Sequence, residues 1–405
     1  MIQKQKTLSF RPFLQITAWK HGDATEDTYH KFGGDLGDDL SRYIRLSLAP
    51  GPHLDEQNLR MGKRLILEFE DLLNARGSGR AQMYLLEWSR RAVVQASSCG
   101  VYGEQHPFLD PEVEKSLWEW MNYLTMHLIA GLDIRGKGAK LPEDASHLAR
   151  EHQRTLREAG VCDLDNAKQA SIFTIAAFSN SAPTLYWTIW ELFSRPEILA
   201  EVRQEIMTQA VSGSKKEGFV LDVAVVKTRC PLLVSVFQET QRTRHVNASF
   251  RMVMEDTVLD GKYLLKKGNF LQMPGAPIHS NTGIWGHAAS EFDPYRFVPK
   301  KGSGRDSLPT NNGFMAWGAA PYLCPARQFA TTEILIVAAM MAIRVDLLPI
   351  EGSWDKNPAV SFVELSTLLN PMKDSKLDIQ VREEWEGSWS LKMGESLSRV
   401  SLASG

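Results

Sequence analysis

Cys324 stands between a turn-rich run, Gly318 to Pro321, and a long apolar stretch in the segment FMAWGAAPYLCPARQFATTEILIVAAMMAI, residues 314–343. A helix over that stretch can open at Pro325, because the N–H that proline lacks goes unused in a first turn. Cys324 then sits at a helix N-terminus, where backbone N–H groups and the helix dipole favour an anionic thiolate. The small residues before it let backbone approach something bulky and flat, and Trp317 can pack over that object. A lone thiolate offered from a tight loop suits a haem iron, whereas an iron–sulfur cluster needs several cysteines. Cys99, Cys162 and Cys230 are widely spaced, form no CxxC pair and read as small apolar residues. That usage fits a reducing compartment and argues against zinc.

Glu239 and Arg242 lie three apart in a helical pattern from Pro231 to about Arg244, so they share a face and can pair. By spacing alone this is a surface ion pair of little consequence. The elements that must position these groups are mostly helical. Leu54, Leu59, Met61, Leu65 and Phe69 recur near a 3.6-residue period, and residues 80–160 read as further amphipathic helices. The stretch 165–195 is apolar nearly all round and reads as one central buried helix, capped by Asp163 or Asp165. Pro183 should kink it and free the carbonyl of Ser179. Beyond residue 246, short β-type runs alternate with Asp-Gly and Lys-Gly turns. Residues 1–50, with the Gly-rich FGGDLGDDL, read as an irregular segment. The outline is mainly α with a small β portion. One domain covers 51–405, with a helical lobe over about 51–245 and a part holding β structure and the cysteine loop over about 246–405.

A chain of 405 residues with 43% hydrophobic and 23% charged residues can bury a large core. A formal net charge of -2 gives no basic field for nucleic acid. No apolar run reaches the roughly 18 residues of a membrane span, and the basic start lacks a signal-peptide core. Walker, GxGxxG, HExxH and GxSxG motifs are missing.

The stretch WGAAPYLCPARQFA resembles the haem-binding loop of the cytochrome P450 family, and three further features fall in the family's order. ETQR resembles its Glu-x-x-Arg pair and supplies Glu239 and Arg242; FDPYRF supplies Arg296; the apolar helix at 165–195 takes the place of the helix that crosses the haem. The resemblance runs from about residue 50 to the C-terminus. It implies the cytochrome P450 fold, N-terminally shortened, since the family's anchor, proline-rich hinge and first sheet region are not visible. It also implies haem b (iron protoporphyrin IX) with Cys324 as the axial ligand of the iron, and a buried Glu239–Arg242–Arg296 network that locks the loop. Arg251 matches the family's propionate-binding arginine, and Arg60 and Arg64 are further candidates. The texture resembles members in fungal secondary metabolism. The stretch NSAPTLYW looks like the branch containing prostacyclin synthase and sterol 7α-hydroxylase.

Three loop positions depart from the family. Ala320 and Ala326 replace glycines, and Tyr322 replaces a basic residue, offering a propionate a hydroxyl without charge. In the central helix, AAFSNSAP places Asn180 and Ser181 where most members carry an acid and a threonine, so these two become the candidates for proton delivery. His279 reads as structural. The resemblance implies a haem-thiolate monooxygenase that uses O2 and electrons from a separate NADPH-dependent P450 reductase to oxidise a small hydrophobic terpenoid, polyketide or alkaloid. Basic faces at Arg60–Arg64 and Arg327 could receive the reductase. The missing acid–threonine pair suggests an alternative, an oxygen-independent isomerase or dehydratase; a truncated, haem-free copy is a third reading. The expected location is cytoplasmic or peripheral to the endoplasmic reticulum, where full-length relatives are anchored.

Overall fold

The computed structural model describes residues 7–74, 81–122, 141–299, 313–351, 353–354, 358–362, 366–394 and 399–403. The N-terminal segment is helical rather than irregular. After strand β1 (Leu8–Ser9) come α1 (Arg11–Lys20), α2 (Glu26–Gly33) and α3 (Leu36–Ser47). The Thr25 hydroxyl caps α2 by accepting the Thr28 N–H, and Glu26, Asp27, His30 and Lys31 sit at the dipole ends that suit their charges. The three helices bury Ala18, Phe32, Leu36 and Leu40 in a cluster with Leu156 and Val161. Fully buried Asp165 anchors that cluster, accepting the Thr25 N–H at 3.0 Å and its hydroxyl at 2.7 Å. The glycines of FGGDLGDDL do not make a loop. Gly33 and Gly34 form the α2–α3 junction, and inside α3 a Cβ on Gly37 would lie 3.0 Å from the Phe32 carbonyl.

Helices α4 (Pro52–Asn74) and α5 (Leu85–Tyr102) pack along each other. The stripe on α4 is Leu54, Met61, Leu65, Phe69 and Leu73; Leu59, expected in it, is exposed. Helix α6 (Pro111–Asn122) and α7 (His147–Glu158) follow. The helical pattern expected across 123–140 lies outside the described residues.

The central stretch is two helices instead of one, α8 (Asp163–Phe178) and α9 (Ser181–Phe193). Pro183 cannot donate to the Ser179 carbonyl, and the chain steps out of register at Ser179 and Asn180. Every residue of α9 is buried. Helix α8 is not enclosed in that way: Ala176 is exposed, and Ala177, Ser179 and Asn180 are half-buried. Neither aspartate caps α8; Cys162 holds the cap position without a side-chain bond, and it is exposed, against the expectation of burial.

Next come α10 (Pro196–Gln209), α11 (Val223–Arg229), α12 (Pro231–Arg244), the short α13 (Gly275–His279) and α14 (Thr282–Trp285), and α15 (Arg327–Arg344). Helices α9 and α15 pack together inside a core whose members run from Leu48 to Leu402. Strand β2 (Ala81–Tyr84) lies far from β3 (Val211–Ser214) and β4 (Gly218–Asp222) in sequence, and all three fall inside the helical part. Strand β5 (Ala248–Val253) is followed by β6 (Thr257–Leu259), β7 (Tyr263–Leu265), β8 (Phe270–Pro274), β9 (Val345–Pro349), β10 (Lys376–Val381) and β11 (Trp389–Lys392). The sheets are ordered β1–β5–β8, β2–β10–β9 and β11–β4–β3, with β6 and β7 as a hairpin. The β portion is therefore not confined beyond residue 246. The early strands pair with late ones, Ala81 with Ile379 and Asp222 with Lys392, so their partners are invisible to a local pattern. Among the described residues no helix is long and apolar enough to cross a membrane.

Candidate functional site

Helix α15 opens at Arg327, with Ala326 as its cap, so Pro325 lies in a turn ahead of the helix and not at its first position. The loop before it is held by its own backbone. Gly318 N–H donates to the Met315 carbonyl at 2.9 Å, Tyr322 N–H to Ala319 at 3.1 Å, and Cys324 N–H to Trp317 at 2.8 Å. Gly318 has φ +86°, and a Cβ there would press to 3.0 Å against the Tyr322 carbonyl. Cys324 is half-buried. Burial pushes the thiol up from its usual range. The N–H groups of Ala326 and Arg327 and the Arg327 charge work the other way without cancelling it. Backbone and the Arg327 charge thus favour the thiolate without prevailing, and a cation bound to the sulfur would tip the balance.

Two sets of side chains brace this loop. Glu239, fully buried, accepts from Arg242 Nε and Nη2 at 2.7 Å each and from Arg296 Nε at 3.0 and 3.2 Å. Arg242 also donates to the carbonyls of His279 at 2.7 Å, Ala289 at 2.6 Å and Glu291 at 2.9 Å. The network therefore pins the connection leading into the loop onto α12. His279 continues it: its Nε2 accepts the Met315 N–H at 2.8 Å, and burial holds its pKa down at about 3, so it stays neutral. On the other side Arg251 donates to the carbonyls of Ala319 and Phe250 at 2.6 Å each, and its guanidinium lies over the Tyr322 ring at 4.7 Å.

The loop suits a flat, anionic group. Trp317 Nε1 and Arg327 Nε are buried and have no hydrogen-bond partner among the described residues. Leu323 to Gln328 are half-buried. Partnerless donors on the chain that bears a half-buried thiol are compatible with a haem carried on one sulfur. Trp317 and Tyr322 lie in the loop with Cys324, and Arg251 reaches its backbone. Arg60 and Arg64 also keep a buried Nε with no partner among the described residues, but their other nitrogens are engaged by this chain. Arg60 donates to the carbonyls of Asp144 at 2.5 Å and Gly100 at 3.3 Å and pairs with Glu56 at 3.1 Å. Arg64 is engaged by Glu68 and by Gln95 at 3.0 Å.

Asn180 and Ser181 sit at the α8–α9 break, and Ser181 is buried. The Asn180 side-chain oxygen accepts the N–H of Thr367 at 2.8 Å, and its carbonyl accepts the Thr184 hydroxyl at 2.6 Å. Sequence reading did not single out Thr367, 187 residues away. It also missed the C-terminal clasp, where Gln328 exchanges two 3.0 Å hydrogen bonds with the backbone of Val400 and Gln238 accepts the Ala403 N–H at 2.7 Å. No local signal marks either contact.

Residues 144–371 match the family described as Cytochrome P450. Over 432 residues the chain is 30% identical to the cytochrome P450 monooxygenase nodJ of Hypoxylon pulicicidum, covering 100% of this chain and 83% of that relative. A cytochrome P450 monooxygenase of Gibberella zeae is 26% identical over 427 residues, 96% of this chain and 80% of its own length. Human 7-alpha-hydroxycholest-4-en-3-one 12-alpha-hydroxylase is 30% identical over 206 residues, 47% of this chain and 40% of that protein. The chain belongs to the cytochrome P450 family. It is a haem-thiolate monooxygenase, an oxidoreductase of mainly α fold, that takes a small substrate and a redox partner.

Proposed function

We propose that Cys324 is the axial thiolate of haem b, carried by a loop that Arg251 and the Glu239–Arg242–Arg296 network hold in shape. The supporting observation is a half-buried Cys324 whose N–H is tied to the Trp317 carbonyl at 2.8 Å, with the partnerless donors Trp317 Nε1 and Arg327 Nε in the same stretch of chain. When bound, a thiolate-ligated haem supplies the activation of O2 that inserts one oxygen atom into the substrate. The chain's own work is to hold the sulfur, shape the pocket and move protons. Trp317 and Arg327 are the donors nearest the loop for the haem's acidic edge, joined by the Tyr322 hydroxyl. Arg251 takes the brace of the loop as its first role. At the helix break, Ser181 carries the hydroxyl that can pass a proton; an amide such as Asn180 does not titrate near neutral pH.

Electrons come from a separate NADPH-dependent reductase. The substrate is a hydrophobic secondary-metabolite skeleton, and the enzyme works in the cytoplasm or at the surface of the endoplasmic reticulum. The test is turnover of candidate skeletons with reductase and NADPH, in air and under argon. Product containing one atom of labelled oxygen, formed only in air with reductant, supports the reading. Rearranged product formed under argon without reductant contradicts it.

A further inference from the structure

The side chain of Asn180 makes a contact that an unoccupied relay group would not make. Its oxygen is committed to the Thr367 N–H at 2.8 Å, so a residue in the helix break holds a segment distant in sequence. Two neighbours on α9 hold this segment and its continuation. Trp187 Nε1 donates to the Leu369 carbonyl at 2.8 Å, and the Tyr186 hydroxyl lies 2.9 Å from that of Ser375. Trp187 and Tyr186 are fully buried, whereas Asn180 is half-buried at the break. The segment is also tied forward. Val246 N–H donates to the Thr367 carbonyl at 2.9 Å, and His245 bridges to Leu368. Val246 leads within two residues into β5, and β5 carries Arg251, whose Nη2 holds the Ala319 carbonyl of the cysteine loop. A contiguous chain of hydrogen bonds and backbone thus runs from the helix break, through Thr367 and β5, to the loop that bears Cys324.

We propose that Asn180 is a positioning residue: its side-chain oxygen fixes residues 366–370 across the α8–α9 break, and these residues wall the substrate pocket, so that the substrates admitted depend on this bond. The pocket clause rests on the haem-site reading above; the clasp does not. Aspartate keeps an acceptor oxygen in the same place, and alanine removes it. This separates the proposal from a role in proton delivery, in which a carboxylate would change chemistry while leaving the segment alone.

The experiment is hydrogen exchange on the full chain, read at the amide of Thr367 and its neighbours, for wild type, Asn180→Ala and Asn180→Asp. Loss of one acceptor should speed exchange about five- to tenfold in Asn180→Ala, with Asn180→Asp near wild type. A second measurement titrates the haem-loaded protein with imidazole and with the bulky azole clotrimazole, following the Soret shift. Clotrimazole affinity should change about fivefold in Asn180→Ala and imidazole affinity by less than about twofold, with Asn180→Asp restoring the first. Unchanged exchange in Asn180→Ala overturns the proposal, and so does equal loss of protection in both variants. Equal effects on the two azoles overturn the pocket clause. A protein that shows no Soret band with added haemin refutes the haem-site reading instead, and the exchange result still decides the clasp.

Discussion

Glu239 receives Arg242 through two parallel hydrogen bonds of 2.7 Å, both side chains essentially without solvent contact, and the same carboxylate receives Arg296. A pair three apart on a helix is worth little on a surface. Here two guanidiniums share one enclosed carboxylate and also hold the carbonyls that define the path from α13 to the loop.

Glu239→Ala should therefore destabilise the chain by about 3–5 kcal/mol, because it leaves buried positive charge uncompensated. Urea unfolding followed by circular dichroism measures this. Arg296→Ala should cost less, since the Arg296 side chain is 13% exposed and Arg242 keeps its bidentate partner. Equal costs for the two substitutions would show that the carboxylate is not the centre of the network.

Glu333 on α15 is fully buried with one hydrogen-bond partner among the described residues, the Ser97 hydroxyl at 2.8 Å, and burial pushes its carboxyl from 4.5 up to about 8. The unfolded chain loses this proton near pH 4.5, while the folded chain keeps it to about pH 8. Between those values the folded state binds more protons, so this group's contribution falls as pH rises and levels off above about 8. Glu333→Gln removes that slope. The variant should match wild type near pH 4.5 and exceed it at pH 9 by at most about 5 kcal/mol. Denaturant melts at the two pH values check this, and parallel curves for both proteins would contradict it.

The C-terminal residues Val400, Leu402 and Ala403 are buried, and Gln328 and Gln238 hold their backbone. Ending the chain after Gly394 should cost about 3–6 kcal/mol, and Gln328→Ala about 1–2 kcal/mol. Since Gln328 lies one turn beyond Cys324, both changes should also raise the alkylation rate of Cys324, read by mass spectrometry against exposed Cys162. A truncated chain with unchanged stability would show that the tail merely rests on the surface.

The parts of this molecule that the sequence made legible are those whose partners lie close along the chain or carry a recognisable spelling. Cys324 with its small-residue loop, Glu239 with Arg242, and the break caused by Pro183 are of that kind. Helices α1 to α3 were hidden because their buried stripes are short and FGGDLGDDL imitates a turn. Helix α15 starts two residues after Pro325 because Pro325 and Ala326 form a turn in which the Arg327 N–H reaches back to the Cys324 carbonyl at 3.4 Å. Asn180 with Thr367, and Gln328 with Val400, join positions 187 and 72 residues apart through single side-chain amides, which leave no periodicity to read. Arg60 and Arg64 show the opposite side of this: most of their nitrogens are engaged by carbonyls and side chains of this chain that no helix pattern announces, while the buried Nε of each keeps no partner among the described residues.

The claim on which the rest depends is that the Cys324 sulfur carries the iron. Ferrous–CO difference spectra of wild type, Cys324→Ser and Cys230→Ser test it directly. Wild type and Cys230→Ser should both show the red-shifted Soret band of a thiolate-ligated haem, and Cys324→Ser should lose it. A shifted band that survives in Cys324→Ser, or that is missing from a wild-type protein supplied with haem, would contradict the assignment.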